Sequence, residues 1–275
     1  MAVLELPRGY RADLTLRYLG RDSDSLCERV EGNTIMTAGT TLEVSESSSR
    51  RVVKVSSTAR RLDDSETLPA ARKLLGLNID PRPFEQAHPD LVRGHEGARL
   101  PQTATVWESL MWAIVGQQVN LPFAYRLRRV LVELRGEPVP NGLYRHPTPE
   151  GIARLDYEDL TSRQFSRSKA RYVIDTARLI ASGELPLETF PSREPSEVEA
   201  MLLGVRGIGV WTANYVMMRG CAFPDCVPAG DSALSASLQS YLQLDHRPDA
   251  PETLTLMERF APWRSLATFH LWLRK

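Results

Sequence analysis

The chain has 275 residues, 42% of them hydrophobic and 25% charged, which is enough for one large domain or two to three small ones with their own cores. Lysine plus arginine and aspartate plus glutamate number 34 each, so the net charge is zero and any case for a polyanionic partner must come from local arrangement. The longest apolar runs, Leu110 to Val115 and Val216 to Met218, fall far short of the roughly 20 residues of a membrane span, and no membrane association is expected.

The opening segment, Met1 to Arg8, has no basic region followed by an apolar core, so no secretion signal is expected and a cytoplasmic location follows by default. Leu14 to Tyr18, Thr34 to Thr37, Thr41 to Val44 and Arg51 to Val55 are short β-prone runs, with turn residues at Gly32-Asn33, Gly39 and Ser47-Ser48-Ser49 between them. Their period-2 alternation predicts a small antiparallel sheet, to which Leu26 to Val30 adds a short helix. Proline, glycine and histidine crowd Asp80 to Pro101, marking the passage into a different architecture. Everything after Thr103 reads as helix. Thr105-Val106-Trp107-Glu108 is a capping-box pattern ahead of a helix ending at Gly116. A second helix runs from about Pro122 to Gly136, a short one starts at Thr148-Pro149, and a longer one spans Ser166 to Ser182. Ser196-Glu197-Val198-Glu199 is again a capping-box pattern, opening a helix that stops at Gly204.

The three cysteines, Cys27, Cys221 and Cys226, lack the neighbours of a metal site and read as free thiols. The charged runs Arg126 to Arg129 and Arg167 to Arg171 read as solvated faces, and His270 on an apolar helix as packed structure.

The most informative segment is Leu202 to Tyr215. A helix ends, Gly204, Gly207 and Gly209 frame a tight turn around Ile208, and a new helix begins at once, which is a helix-hairpin-helix pattern. Glycines allow close approach of another molecule's backbone, and the free N–H groups opening the second helix form a phosphate site that grips DNA without reading sequence. An ordinary two-helix turn with a glycine cap is the alternative. Eleven residues after Gly220 comes Asp231, closing Val227-Pro228-Ala229-Gly230 and placed to cap a helix starting at Ser232. The helix dipole favours a negative charge there, so the cap reading and a catalytic reading are compatible.

The run Leu202 to Ala213 with Asp231 after it resembles the helix-hairpin-helix DNA glycosylases, in which such an aspartate is the catalytic carboxylate. Within that superfamily the chain resembles bacterial 3-methyladenine DNA glycosylase II, the AlkA type, over essentially its whole length. The resemblance rests on Pro7 to Arg21, Ala113-Ile114-Val115-Gly116-Gln117-Gln118-Val119, Trp211 to Tyr215 with Arg219-Gly220, and Pro262 to Ser265 with His270-Leu271-Trp272.

This resemblance implies an α+β fold, with an amino-terminal antiparallel α/β domain over residues 1–80. A linker and first helical segment would occupy 81–110, the helical domain with its hairpin 111–227, and the catalytic loop with the last helices 228–275; the helical core would form two subdomains. It implies Asp231 as the catalytic carboxylate, Trp211, Tyr215, Trp272 and Tyr18 as the base pocket, and Gln118 as the wedge filling the gap left by a flipped nucleotide. Gly204, Gly207, Ile208, Gly209 and Thr212 would contact the DNA backbone, and the carbonyls of Leu203, Val205 and Ile208 would hold a Na+ or K+ ion. Bifunctional members carry a Schiff-base lysine where this chain has Trp211, so no lyase step is implied; the missing cysteine motif leaves no place for an iron–sulfur cluster, and no organic cofactor is implied. The expected activity is excision of alkylated bases from double-stranded DNA, by a nucleoid-associated monomer, with bulkier etheno adducts admitted because Ser232 replaces an aromatic residue. A non-catalytic hairpin module and a glycosylase for a different lesion are the alternatives. An arginine expected near the amino-terminal aromatic falls at Arg21 or Asp22.

Overall fold

The computed structural model describes residues 2–47, 50–57 and 64–274. Strands β1 (Ala2–Glu5), β2 (Glu28–Glu31), β3 (Thr34–Thr37), β4 (Thr40–Ser47) and β5 (Arg50–Ser57) form one antiparallel sheet in the order β1-β5-β4-β3-β2. Alternation fixes its faces: Leu42 pairs with Val55 and with Ile35, and Val44 pairs with Val53, all five buried on one side. Ser48 and Ser49, read as part of a turn, lie outside the described residues.

Two predictions in this region are corrected. Leu14 to Tyr18, expected as a strand, lies in helix α1 (Ala12–Leu19), because Leu14, Thr15 and Tyr18 share one helical face and all three are buried. Leu26 to Val30, expected as a helix, leads into β2, whose Arg29 and Val30 pair with Met36 and Ile35. Helix α2 (Asp64–Leu74) closes the amino-terminal core through Ala71, beside Leu75 and Leu77. The sequence reading did not include α2 or β1.

Two short helices, α3 (Arg82–Ala87) and α4 (Pro89–Val92), occupy the Pro-rich passage, each with a proline in its first turn. Then come α5 (Val106–Gly116), capped by Thr105, and α6 (Leu121–Arg135), capped by Asn120. A two-residue ribbon of β6 (Glu137–Pro138) and β7 (Tyr144–Arg145) interrupts the expected run of helices. The rest is α7 (Pro149–Ala153), α8 (Tyr157–Thr161), α9 (Arg167–Ala181), α10 (Pro195–Leu203), α11 (Val210–Arg219), α12 (Ser232–Leu242), α13 (Ala250–Met257) and α14 (Arg264–Leu273). Ser196 lies inside α10, whose cap is Glu194, so the predicted capping box there does not form.

Among the described residues, apolar burial falls into three clusters. One lies between the sheet, α1 and α2; the largest centres on α5, α9 and α11; the third gathers Phe84, Leu91, Leu234, Phe260 and Leu266 from α3, α4, α12 and the last helices. Phe269 of α14 and Tyr18 of α1 both join the largest cluster, so the first and last helices converge on the hairpin helix α11. No helix among the described residues is long and apolar enough to cross a membrane.

Candidate active site

The hairpin is built by close packing. Gly207 has φ +90°, and a Cβ there would lie 2.4 Å from the Tyr172 ring, so only glycine fits the turn as packed. Helix α11 starts after Gly209 with no side-chain cap, leaving the first-turn N–H groups for an outside acceptor. Gly204, Arg206, Gly209 and Val210 are exposed around this turn, while Ile208 is buried beneath it. Thr212, expected to contact the DNA backbone, is only 2% exposed, and its hydroxyl accepts the Gln117 side-chain amide at 2.9 Å. Its side chain therefore works inside the protein, and only its backbone N–H remains for the hairpin surface.

The loop that carries Asp231 is strapped down from both sides. Asn214 of α11 accepts the Val227 N–H at 3.1 Å, Ser265 of α14 accepts the Cys226 N–H at 3.0 Å, and Arg264 holds both carboxylate oxygens of Asp225 at 2.7 and 2.8 Å. Gly230, at φ +90°, then turns the chain into α12. Asp231 lands as the α12 N-cap: its Oδ1 accepts the N–H groups of Ala233 and Leu234 at 2.9 and 2.8 Å. The two tryptophan indoles supply the remaining donors, Trp272 Nε1 to Oδ1 at 3.2 Å and Trp211 Nε1 to Oδ2 at 3.1 Å. Four N–H groups from α11, α12 and α14 thus converge on one carboxylate.

Trp211 stacks on Tyr215 with centroids 5.4 Å apart and 27° between planes, and Tyr215 lies 6.3 Å from Trp272. Three of the four expected pocket aromatics therefore gather at Asp231. Tyr18 adjoins this group through Tyr215. It packs edge-on against Phe269, donor contact from Arg219 reaches its hydroxyl, and the same guanidinium donates to the Tyr215 hydroxyl at 3.3 Å. Burial would raise the Tyr18 phenol, but Arg219 and Arg21 draw it below its ordinary value; burial holds the Tyr215 phenol well above its own.

Tyr18 and Tyr215 line a cavity of about 480 Å³ whose walls include Arg21, Asp22, Trp112 and Tyr125. Asp231, Trp211 and Trp272 lie outside those walls, so Tyr215 joins the cavity to the carboxylate centre. Both Arg21 and Asp22 border the cavity, and Arg21 places its guanidinium 3.6 Å from the Tyr18 ring centroid. Trp112 and Tyr125, stacked at 5.3 Å, were not foreseen, because α5 and α6 give each of them an ordinary amphipathic context. Asn214 of α11 was missed for the same reason, and Arg206 because a lone arginine in a turn reads as an ordinary exposed residue.

Gln118, expected at the wedge, is exposed in the left-handed region at φ +55°, directly after the end of α5. Of the hairpin carbonyls, that of Val205 already accepts the Ile208 N–H at 3.1 Å and keeps one lone pair. Neutral carbonyl oxygens without a carboxylate suit a hard, weakly charged cation. Cys27, Cys221 and Cys226 are free and buried.

Residues 111–262 match the family model described as HhH-GPD superfamily base excision DNA repair protein. The chain is 38% identical to YfjP of Bacillus subtilis over 178 residues, which are 65% of this chain and 62% of that one. It is 33% identical over 294 residues to the DNA-3-methyladenine glycosylase of Bacillus subtilis, covering 98% of this chain and 95% of the relative. In fold it is similar to the 3-methyladenine DNA-glycosylase from Archaeoglobus fulgidus, with a TM-score of 0.83, 22% identity, and 99% and 97% of the two chains covered. Hairpin, strapped aspartate and full-length similarity agree, and the chain belongs to the HhH-GPD superfamily of base excision DNA repair proteins, among DNA-3-methyladenine glycosylases of the AlkA type.

Proposed function

We propose that this chain is a monofunctional DNA N-glycosylase that flips alkylated bases such as N3-methyladenine and N7-methylguanine out of duplex DNA and hydrolyses their glycosidic bond. The observation that carries the reading is the setting of Asp231, whose carboxylate meets four N–H donors from three helices and, among these partners, no cation. Neutral donors orient a carboxylate and leave its charge free to meet the positive charge that develops on the sugar.

N-alkylation leaves the purine cationic and its bond to C1′ weakened. Such a base is attracted to the faces of Trp211, Tyr215 and Trp272, and damaged bases leave the stack at lower cost than normal ones. As the C1′–N bond breaks, its electrons leave with the base, which departs neutral. Water oriented by Asp231 bonds to C1′ and gives its proton to the carboxylate and then to solvent, leaving an abasic site. The first-turn N–H groups of α11 and exposed Arg206 would hold a backbone phosphate, with a Na+ or K+ ion on the carbonyls of Leu203, Val205 and Ile208 screening its charge. Gln118 would fill the gap in the duplex. All these groups come from one chain, so a monomer suffices, acting on nucleoid DNA in the cytoplasm.

The absence of a lyase step rests on the described lysines, Lys54, Lys73 and Lys169; the chain's fourth, Lys275, lies outside the described residues. Trp211 stands at the Schiff-base position, Lys54 pairs with Glu43 on the sheet, Lys73 donates to the Ala104 carbonyl, and Lys169 is engaged by three carbonyls. Among the described residues no lysine amine reaches the carboxylate, and no imine with the sugar is expected. Exposed Ser232 beside Asp231 leaves room for etheno adducts.

A second reading draws on Arg21 and Arg219, which place two guanidinium groups around Tyr18 at 3.6 and 4.8 Å from its centroid. Cations there suit a neutral lesion with acceptor atoms better than a cationic one. One experiment separates the two: single-turnover base release from duplexes carrying N7-methylguanine, ethenoadenine or hypoxanthine, each with and without alkali, and each with borohydride present. The proposed function expects release of N7-methylguanine, strand breaks only after alkali, and no borohydride-trapped covalent complex. Release of the neutral bases alone would favour the second reading, and alkali-independent breaks with a trapped complex would overturn the monofunctional assignment.

A further inference from the structure

Lys169 belongs to the charged run Arg167 to Arg171, which read as a solvated face, yet its side chain is buried. Its ammonium donates to the carbonyls of Ile114 at 2.9 Å, Val115 at 2.8 Å and Gln117 at 2.9 Å. Ile114 and Val115 belong to the last turn of α5 and Gln117 is its C-cap; the Ile114 carbonyl also accepts the Gln117 N–H at 3.3 Å, and a cation at this helix end opposes the helix dipole. Burial draws the Lys169 pKa down to about 8, and the three acceptors favour the charged form at neutral pH.

The group so fixed is the start of the Gln118 loop. Gln117, between the capped helix end and Gln118, reaches across with its side-chain amide to the Gly207 carbonyl and the Thr212 hydroxyl, both at 2.9 Å. Three residues beyond Lys169 on the same helix, Tyr172 lies against Gly207 on the other side of the hairpin turn. Helix α9 therefore braces the end of α5 through Lys169 and the hairpin through Tyr172, and Gln117 closes the triangle.

We infer that Lys169 and Gln117 are positioning residues that hold the Gln118 wedge at a fixed place relative to the hairpin, so that gripping the backbone and opening the base pair happen in one register. This rests on the reading of Gln118 as the wedge. Neither residue touches the reacting atoms. A wedge that shifts by an ångström relative to the grip enters the base stack off its productive position, and displacements of that size cost up to about 100-fold in rate.

The test uses the full chain and N7-methylguanine in two contexts: paired with cytosine, where the wedge must act, and opposite a tetrahydrofuran abasic analogue, where no pair has to be opened. Single-turnover release is measured for the wild type and for Lys169→Met, Lys169→Arg, Gln117→Ala and Gln118→Ala, with duplex affinity measured alongside. The expected result is a ratio of paired to unpaired release that falls roughly tenfold in Lys169→Met and Gln117→Ala, with Lys169→Arg recovering most of it and affinity within about twofold of wild type. If Gln118→Ala lowers that ratio and neither Lys169→Met nor Gln117→Ala does, the positioning role is wrong. If Gln118→Ala leaves the ratio unchanged, the wedge reading fails and the positioning role falls with it. Gln117 is only partly buried, so its variant answers the question even if Lys169→Met does not fold.

Discussion

Asp231 and the pair Glu28–Glu108 are both carboxylate sites assembled from distant parts of the chain, but they are satisfied in opposite ways. Arg128 of α6 bonds both oxygens of Glu28 at 2.5 and 2.7 Å and lies 3.5 Å from Glu108, with its own side chain 10% exposed. The cation there is held strongly protonated by Glu28, although burial alone would lower its pKa, and the three charges staple β2 of the sheet to α5 and α6. At Asp231 the same task falls to backbone and indole N–H groups. An ion pair spends a carboxylate's charge on structure; neutral donors orient the charge and leave it available to a reaction. The same fold uses the first arrangement to join the sheet to the helices and the second where chemistry is expected.

Removing each carboxylate's partners breaks this comparison in different ways. Asp231→Ala loses both the charge and the cap, so base release should fall by about 100- to 10,000-fold, with only about 1 kcal/mol lost in thermal unfolding. Arg128→Met leaves two carboxylates partly buried without a counter-charge; denaturant unfolding should show a loss of about 3–5 kcal/mol, and an unchanged midpoint would mean the staple contributes nothing. A finer cut is Trp272→Phe, which keeps a ring but deletes one donor to Asp231. Single-turnover release should slow about tenfold, the scale of a hydrogen bond to a charged group. Equal release by the variant would mean that the indole only packs.

A further prediction concerns acid. His270 is fully buried on α14 with both ring nitrogens unpartnered, and burial pulls its pKa down to about 3. The unfolded chain protonates this histidine near pH 6.5, the folded chain only near 3, so the unfolded state binds more protons between those values. Stability should therefore decline as pH falls below about 6.5, with no contribution from this group above it. Melting curves from pH 7 to pH 4 should be flatter for His270→Leu than for the wild type; parallel curves would assign the acid sensitivity elsewhere, for example to His146, shifted the same way by burial.

The carboxylate centre was legible in the sequence because its signals are local. Three glycines in six residues, Asp231 after Gly230, and the Trp211–Tyr215 spacing each fix their geometry within a turn or two. The staple was not legible: Arg128 and Glu28 are separated by 100 residues, and nothing in either neighbourhood marks a partner. Lys169 failed for the same reason, since a lysine among arginines on a helix reads as solvated until the end of α5 is seen beside it. Helix α1 was misread because eight residues with Leu14, Leu16 and Tyr18 satisfy a strand's alternation as well as a helix's face. That Tyr18 meets the carboxylate centre by way of Tyr215 and Arg219 needed the packing of three helices to become visible.

The most direct test is Asp231→Asn. Asparagine caps a helix as well as aspartate does, so this change removes charge and keeps the loop. With melting temperature and affinity for duplex DNA held at wild-type levels, single-turnover release of N7-methylguanine should fall by about 100-fold or more. Release within a few-fold of wild type would contradict the assignment and leave Asp231 as a helix cap alone.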